Sequence, residues 1–306
     1  MIGFVALLGA AVLSLTLPDA TKAMAATGDI VYLAPVYDMD GDVTFENGEV
    51  VMQEKTLAEG TYSVVMKDMT VWGTADTSAT PDANGEYWYV VNANVTRNSS
   101  LDGLVVNGKV NLILCDGAVF NMTFDVITVG EGNEFTVYGQ KNGTGVLNAN
   151  TNNSSGATGA GIGGNADSPN AGKITINGGT VSVRGANNTS QVRGAGIGGA
   201  NGGNGGEITI NGGTVTAKGS TYNSAGIGGG NGGDSGTIVI NGGIVNATAG
   251  KYSTAIGAST DYKNHFHICK DAERYFPSAS KEHSMNNSFL LNVFPDYFPY
   301  IICFKT

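Results

Sequence analysis

The strongest constraint in this chain is a segment of about thirty residues that is written almost four times between residues 160 and 258. The copies read GAGIGGNADSPNAGKITINGGTVSVRG, GAGIGGANGGNGGEITINGGTVTAKG and SAGIGGGNGGDSGTIVINGGIVNATAG, and a fourth start, TAIGAS, breaks off. An alanine near the beginning of each copy lies at positions 160, 195, 225 and 255. Repetition at this period predicts a solenoid, in which each copy is one winding that stacks on the next.

Apolar and polar residues alternate within each copy, which is the period of a strand. Ile174 and Ile176 flank Thr175, and Val181 and Val183 flank a serine. Glycine separates these runs, where it disfavours helix and suits corners with a positive φ. We therefore predict an all-β fold, a right-handed parallel β-helix with about 30 residues per coil.

Equivalent positions of successive copies should lie above one another at the strand spacing of about 4.8 Å. The second isoleucine of each ITI or IVI run should form an inward apolar column, and the asparagine of each NGG corner should form a ladder of side-chain amides. We interpret these asparagines as structural. The predicted column is Ile176, Ile210 and Ile240; the predicted ladder is Asn177, Asn211 and Asn241; a candidate second ladder is Asn165, Asn201 and Asn231.

Residues 1–25 are predicted to be a signal peptide. An apolar stretch at 2–17 is too short to cross a bilayer, and the small-residue sequence AMA follows at 23–25. Lys22 is the only basic residue of this segment. We expect a protein that is secreted or held at the cell surface, with no membrane-spanning helix after the signal is removed.

The rest of the chain divides into three segments by composition. Residues 26–86 show no clear repeat and are expected to form an N-terminal β segment or cap. Residues 87–260 are predicted to be the parallel β-helix, with irregular opening coils before the glycine-rich repeats. Residues 261–306 contain all three histidines and none of the 47 glycines. This tail either caps the last coil or is an out-of-frame end of a longer repeat array.

The formal net charge of −10 restricts the partners of this chain. An acidic surface argues against nucleic acid and against polyanionic glycans, because both need basic tracks. The three cysteines are too few to indicate a disulfide framework. Nucleic acid is therefore not an expected partner.

The segments YWYVVNANVT, LILCDGAVF and TVYGQKNGTGVLNA, together with the AGIGG and ITINGGTVTA repeats, resemble a known family. It consists of β-helical segments in large cell-surface proteins of gut bacteria, described as carbohydrate-binding or adhesin-like. The resemblance covers residues 87–259 and depends mainly on corner and core letters. It implies an exported, non-catalytic surface protein that binds glycans or acts as an adhesin spacer. The partners that this resemblance implies are glycans or polysaccharides of a host or cell surface.

Catalysis is the alternative function. Catalytic β-helices that cut polysaccharides carry acidic pairs, or a calcium-binding aspartate cluster with a basic residue, on one outer face. In the AGIGG arms the carboxylates are Asp167 and Asp234, at different offsets from the opening alanine, and no histidine lies in the solenoid. A polysaccharide lyase or glycoside hydrolase of the same architecture stays an alternative, and a passive structural stalk is a third.

Three aromatic residues are candidates for stacking on sugar rings. Tyr222 and Tyr252 each stand three residues before a repeat alanine, so adjacent coils should place their rings about one strand spacing apart. Trp88 belongs to a second aromatic cluster near the start of the solenoid. Each has a structural alternative, either stacking between coils or a contact in the N-terminal core.

A weak calcium candidate lies in the sequence DMDGDVTFENGE. Asp38, Asp40, Asp42 and Glu49 stand at positions 1, 3, 5 and 12 of a calcium loop. Glycine stands at position 4, where the loop needs it at position 6, so a polar turn is the alternative. No other cofactor is expected.

Overall fold

We used a computed structural model of the chain. In the described part of the chain every regular element is a strand. The predicted signal peptide, residues 1–25, lies outside that part. The described residues are 28–97, 103–123, 126–150, 159–186 and 193–259, together with three short strands of the tail that are described as backbone.

The chain forms a right-handed parallel β-helix with three sheets running along its axis. The strands, in chain order, are β1 (Ile30–Pro35), β2 (Phe45–Glu46), β3 (Glu49–Val50), β4 (Met52–Leu57), β5 (Ser63–Val64), β6 (Val71–Gly73), β7 (Glu86–Val91), β8 (Val95–Arg97), β9 (Leu104–Asn107), β10 (Lys109–Leu114), β11 (Val119–Met122), β12 (Ile127–Thr128), β13 (Glu134–Gly139), β14 (Val146–Asn150), β15 (Ile162–Gly163), β16 (Lys173–Ile176), β17 (Thr180–Arg184), β18 (Ile197–Gly198), β19 (Glu207–Ile210), β20 (Thr214–Lys218), β21 (Ile227–Gly228), β22 (Thr237–Ile240), β23 (Ile244–Thr248), β24 (Ile256–Gly257), β25 (Phe266–Ile268), β26 (Ser288–Asn292) and β27 (Ile302–Phe304).

Each full coil contributes one strand to each sheet, in the order sheet I, sheet II, sheet III. Sheet I contains β5, β7, β10, β13, β16, β19 and β22; sheet II contains β8, β11, β14, β17, β20 and β23; sheet III contains β6, β9, β12, β15, β18, β21 and β24. Coils 1 to 6 begin at β7, β10, β13, β16, β19 and β22. The sheet strands of successive coils pair parallel, whereas the tail strands β26 and β27 pair antiparallel with β23 and β22.

The predicted isoleucine column is the inward row of sheet I. Ile176 pairs with Ile210, and Ile210 pairs with Ile240, and all three side chains have no solvent exposure. Neighbouring coils therefore bury like residues against like, which fixes their register because a slip of one residue would turn this row to solvent.

The core of the first coils contains aromatic rings beside aliphatic side chains. Trp72 stacks on Tyr89 with ring centroids 4.8 Å apart, and its ring lies 6.1 Å from Phe120 and 6.2 Å from Phe135. These four rings pack together in the interior of the irregular coils. Parallel pairing already begins at β5 and β6, so the first solenoid strands belong to the segment assigned as an N-terminal β segment or cap.

A hairpin at the N-terminus packs on the outside of sheet I. Its strands β1 and β4 pair antiparallel. Tyr32 lies 5.2 Å from Trp88 and 4.9 Å from Tyr138, measured between ring centroids. The Gln140 side chain donates a hydrogen bond of 2.7 Å to the carbonyl of Val31. The hairpin thus covers the side of the solenoid.

The second glycine of AGIGG allows successive coils to approach closely in sheet III. Gly198 has a φ of +129°, and a Cβ atom built on it would lie 2.0 Å from the carbonyl oxygen of Gly228. Gly163 and Gly228 repeat this geometry against the next coil. A side chain at this position would push the coils apart, which is why the glycine recurs in every copy.

The NGG corners form a ladder of buried amides. The Asn211 side chain donates to Asn177 Oδ1 at 2.8 Å, and the Asn241 side chain donates to Asn211 Oδ1 at 2.7 Å. In the candidate second ladder the Asn231 side chain donates to Asn201 Oδ1 at 2.8 Å. Asn165 differs, because its Oδ1 accepts the backbone N–H groups of Ser168 and the residue before it within its own turn.

We expect Gly198→Ala to destabilise the solenoid far more than Gly202→Ala. Both glycines have a positive φ, but a Cβ at Gly202 would meet nothing within 4 Å. The difference in free energy of unfolding should be at least about 2 kcal/mol, because only Gly198 adds a backbone clash to the conformational strain. Denaturant titration followed by circular dichroism measures it, and equal losses would contradict the close-approach argument.

Asn211→Ala should cost about 1–3 kcal/mol of unfolding free energy, because it leaves a donor and an acceptor of its two neighbours buried without partners. Asn231→Ala removes one exposed hydrogen bond between side-chain amides and serves as the control. Its loss of unfolding free energy should be below about 1 kcal/mol. Denaturation midpoints of the two variants give the comparison. Equal losses of stability in the two variants would show that the buried ladder does not stabilise the fold.

The stability of the region around Trp88 should depend on pH through Asp82. Its carboxylate accepts the backbone N–H groups of Asn84 and Glu86 and the indole N–H of Trp88, at 2.8, 3.0 and 3.1 Å. Burial alone would raise the pKa of Asp82, but these hydrogen bonds outweigh it and lower the pKa. The stabilisation is therefore present above the unfolded pKa of about 3.9 and is lost as the pH falls through the folded value.

Asp82→Asn keeps an acceptor oxygen and removes the charge. We expect the melting temperature of the variant to lie below that of the unmodified chain at neutral pH, and the gap to close as the pH falls to about 2. Tryptophan fluorescence during thermal unfolding measures both proteins. A gap that is constant across this range would refute the role of the Asp82 charge.

Candidate functional site

A groove follows the corner where sheet III leads into sheet I, and it has a volume of about 580 Å³. We name it the acidic groove. Its polar side chains form two rows across coils 3 to 6, one on the corner and one at the first position of the sheet I strands. The corner row is Glu131, Asn170, Asn204 and Asp234, and the strand row is Glu134, Lys173 and Glu207.

The corner row is held by hydrogen bonds between coils. Asn170 Oδ1 accepts the backbone N–H of Asn204 at 3.0 Å, and Asn204 Oδ1 accepts the backbone N–H of Asp234 at 2.9 Å. The Asn170 side chain also donates to Glu131 Oε2 at 3.2 Å. The side chains of Asn170 and Asn204 are thus fixed before any ligand arrives, which limits the ordering entropy that binding costs.

The strand row alternates in charge. Lys173 pairs with Glu134 on one side and with Glu207 on the other. Lys109 continues the row towards the N-terminus, where its ammonium lies 3.8 Å from a carboxylate oxygen of Glu134. Opposite charges on neighbouring strands stabilise this register. The side chains that line the groove include four carboxylates and one ammonium, so the groove carries a net negative charge.

Sequence reasoning missed the acidic groove because it counted from the wrong reference point. Measured from the opening alanine, Asp234 and Asn204 lie at an offset of nine, but Asn170 lies at ten and the other carboxylate of these arms, Asp167, lies at seven. Measured back from the first residue of the following sheet I strand, Glu131, Asn170, Asn204 and Asp234 all lie at an offset of three. The glycine-rich arm varies in length between copies, whereas the strand that follows it is held in register by its neighbours.

Tyr222 and Tyr252 do not lie in the expected register. The pairing of Ile227 with Ile256 places Ala255 opposite a glycine, because the fourth start lacks one residue before its isoleucine. Tyr222 therefore forms its β-bridge with Lys251 instead of Tyr252. The predicted stack of two tyrosine rings is corrected to a tyrosine beside a lysine.

Both tyrosines are nevertheless at the surface. The Tyr222 ring is 39% exposed, with the guanidinium carbon of Arg193 at 5.5 Å and the ammonium of Lys251 at 5.6 Å from its centroid. Tyr252 is 79% exposed and has a φ of +65°. Because this backbone conformation is left-handed, the Tyr252 side chain does not point in the direction that a β-strand residue would.

Trp88 lies beneath the N-terminal hairpin and does not present its ring to solvent. It is 8% exposed, and it stacks on Tyr138 with centroids 5.5 Å apart and rings at 25°. Its surroundings are those of a contact in the N-terminal core, which is the structural alternative to sugar binding. The ring joins the solenoid to Tyr32 of the hairpin.

Three of the four residues of the calcium candidate, Asp38, Asp40 and Asp42, lie in a polar turn. Asp38 Oδ1 accepts the backbone N–H groups of Asp40 and Asp42 at 2.9 and 3.0 Å. Glu49 lies on β3, where it pairs with Glu46. Within the described residues no three histidine, cysteine, aspartate or glutamate side chains are grouped to hold a metal ion. Asp38 thus makes the hydrogen bonds of a polar turn, which is the alternative to a calcium loop in this segment.

Among the described residues, no helix has the length and apolar character needed to cross a membrane. Comparison with curated proteins and with solved structures finds no match to this chain. A family model for the beta helix repeat matches residues 174–205 and 208–231. These two segments run from sheet I of coil 4 into sheet III of coil 5 and end beside the acidic groove. The glycine-rich part of this chain is therefore a beta helix repeat segment.

Proposed function

We propose that this chain is an exported, non-catalytic surface protein of adhesin-like character whose β-helix binds a neutral glycan in the acidic groove. The observation that carries the proposal is a polar side chain at the same corner of four successive coils, each held by its neighbours. The predicted signal peptide at residues 1–25 supports export. The resemblance to surface proteins of gut bacteria supports the class of ligand.

The chemistry of the groove suits a chain of hydroxyl groups. Carboxylate and amide oxygens accept hydrogen bonds from sugar hydroxyls, and the asparagine amides donate to them. The corner row spans three coil spacings, or roughly 14 Å, so an extended ligand would meet one polar group per coil. A volume of about 580 Å³ lies within the range of small-ligand sites.

The charge of the groove selects among glycans. Its carboxylates outnumber its single ammonium four to one. Bringing a uronic acid or a sulfate into this groove would set like charges together, which costs several kcal/mol unless a cation intervenes. A neutral polysaccharide avoids that repulsion, so neutral chains are the expected ligands of this site.

The same carboxylates support the enzymatic alternative, a polysaccharide lyase or glycoside hydrolase. A hydrolase needs two carboxyl groups on either side of the scissile bond. The groove supplies Glu207 and Asp234, at the entrances to coils 5 and 6. A passive stalk, the third possibility, would use the solenoid only as a spacer.

We expect Glu207→Ala and Asp234→Ala each to weaken binding of a neutral polysaccharide about tenfold, because each removes a charged hydrogen-bond acceptor. Affinity electrophoresis in gels containing xyloglucan, mannan or hydroxyethyl cellulose, beside a glycan array, measures the change. Glu59→Ala removes an exposed carboxylate from the N-terminal hairpin and is the matched control, with unchanged mobility.

The outcomes separate the three functions. Retention that is lost with Glu207→Ala but kept with Glu59→Ala supports binding in the groove. If the protein releases reducing or unsaturated products from a polysaccharide and Glu207→Gln abolishes that release, the enzymatic alternative replaces the binding proposal. If circular dichroism shows that the protein is folded and no glycan binds it, the passive stalk is the function supported.

A further inference from the structure

The repeat coils carry a second polar surface, at the corner where sheet II leads into sheet III. The segments 180–198, 214–228 and 244–257 contain four cationic residues and no aspartate or glutamate. We name this surface the basic corner. It consists of Arg184, Arg193, Lys218 and Lys251 together with Tyr222 and Tyr252.

Two of these cations lie side by side on sheet II. Arg184 and Lys218 occupy paired positions on β17 and β20, about 4.8 Å apart along the axis. Like charges on directly opposite strand positions are unfavourable. The row at the start of sheet I avoids this by alternating glutamate and lysine. The sheet II strands β17, β20 and β23 contain no aspartate or glutamate, so this surface lacks the alternation of charge found in sheet I.

The other two cations meet at Tyr222. Arg193 and Lys251 lie 5.5 and 5.6 Å from the centroid of its ring, within cation–π range. The backbone holds this arrangement, because Lys251 donates to the carbonyl of Thr221 and accepts from the N–H of Asn223, both at 2.8 Å. The positive groups are thus positioned before a ligand binds.

Tyr252 adds an exposed aromatic ring to the same surface. It is 79% exposed although its φ of +65° lies in the left-handed region, which disfavours a tyrosine. Asparagine or glycine would fit this backbone with less strain. A large ring at a strained and exposed position indicates a function in contact with a ligand.

We propose that the basic corner is a second binding site, which takes a carboxylated polysaccharide. Its cations bind the carboxylates of the sugars, and the Tyr252 ring packs on a sugar face. One or two cations per coil match a chain that carries one charge per sugar. A nucleic acid has a denser charge, and the net charge of −10 on the whole chain repels it.

This site is independent of the acidic groove, since the two share no residue. The groove lies between sheets III and I and is negative, whereas the basic corner lies between sheets II and III and is positive. The proposal departs from the expectation that this acidic chain rejects polyanionic glycans. That expectation used the net charge, which does not describe how charge is distributed over the corners.

The test uses polygalacturonate as the probe and its fully methyl-esterified form as the uncharged counterpart. The full chain should bind polygalacturonate, with an affinity that falls as salt is added, and should bind the ester at least tenfold more weakly. Lys218→Gln combined with Lys251→Gln should weaken binding of polygalacturonate by roughly tenfold or more. Tyr252→Asn, which suits the backbone at this position, should also weaken it.

The matched control combines Lys109→Gln with Lys173→Gln, which changes the net charge equally but acts on the alternating row of sheet I. Its affinity for polygalacturonate should change less than twofold. An equal loss in the control would show that net charge alone matters and would overturn the proposal. Equal binding of the ester, or of single-stranded DNA, would also overturn it. Glu207→Ala should leave polygalacturonate binding intact, which separates this site from the acidic groove.

Discussion

Close parallel stacking of one coil on the next is the constraint on which the rest of this molecule depends. In sheet III the backbones approach until a single Cβ at Gly198 would collide with the carbonyl of Gly228. That approach keeps the isoleucine column dry and brings the asparagine amides within hydrogen-bond distance. It also sets the axial spacing at which surface side chains recur, so the polar rows at both corners follow from the same packing.

The architecture could be predicted from the sequence because the core repeats in register. Ile176, Ile210 and Ile240 lie in one column, and the strands that carry them pair as the alternation predicts. A repeated apolar residue has only one side of the coil on which it can be buried. For these positions, the spacing in the sequence therefore predicts which residues are neighbours in space.

The surface could be predicted less well, because corners vary in length where strands do not. One missing residue before Ile256 moves Lys251, rather than Tyr252, next to Tyr222. A longer arm in the first copy hides the equivalence of Asn170 and Asp234. The hairpin over Trp88 depends on contacts between residues far apart in the chain, which no local pattern reveals. Counting from the nearest core residue recovers the rows, but not the hairpin.

The common register of coils 5 and 6 has an evolutionary consequence. Their sheet I strands begin at Glu207 and Thr237, thirty positions apart, and each pairs in the same register with the coil before it. A deletion or duplication of one such block would join equivalent surfaces and leave the core unbroken. Unequal recombination within the gene can thus lengthen or shorten the rod by whole windings, adding or removing one rung from each outer row at a time.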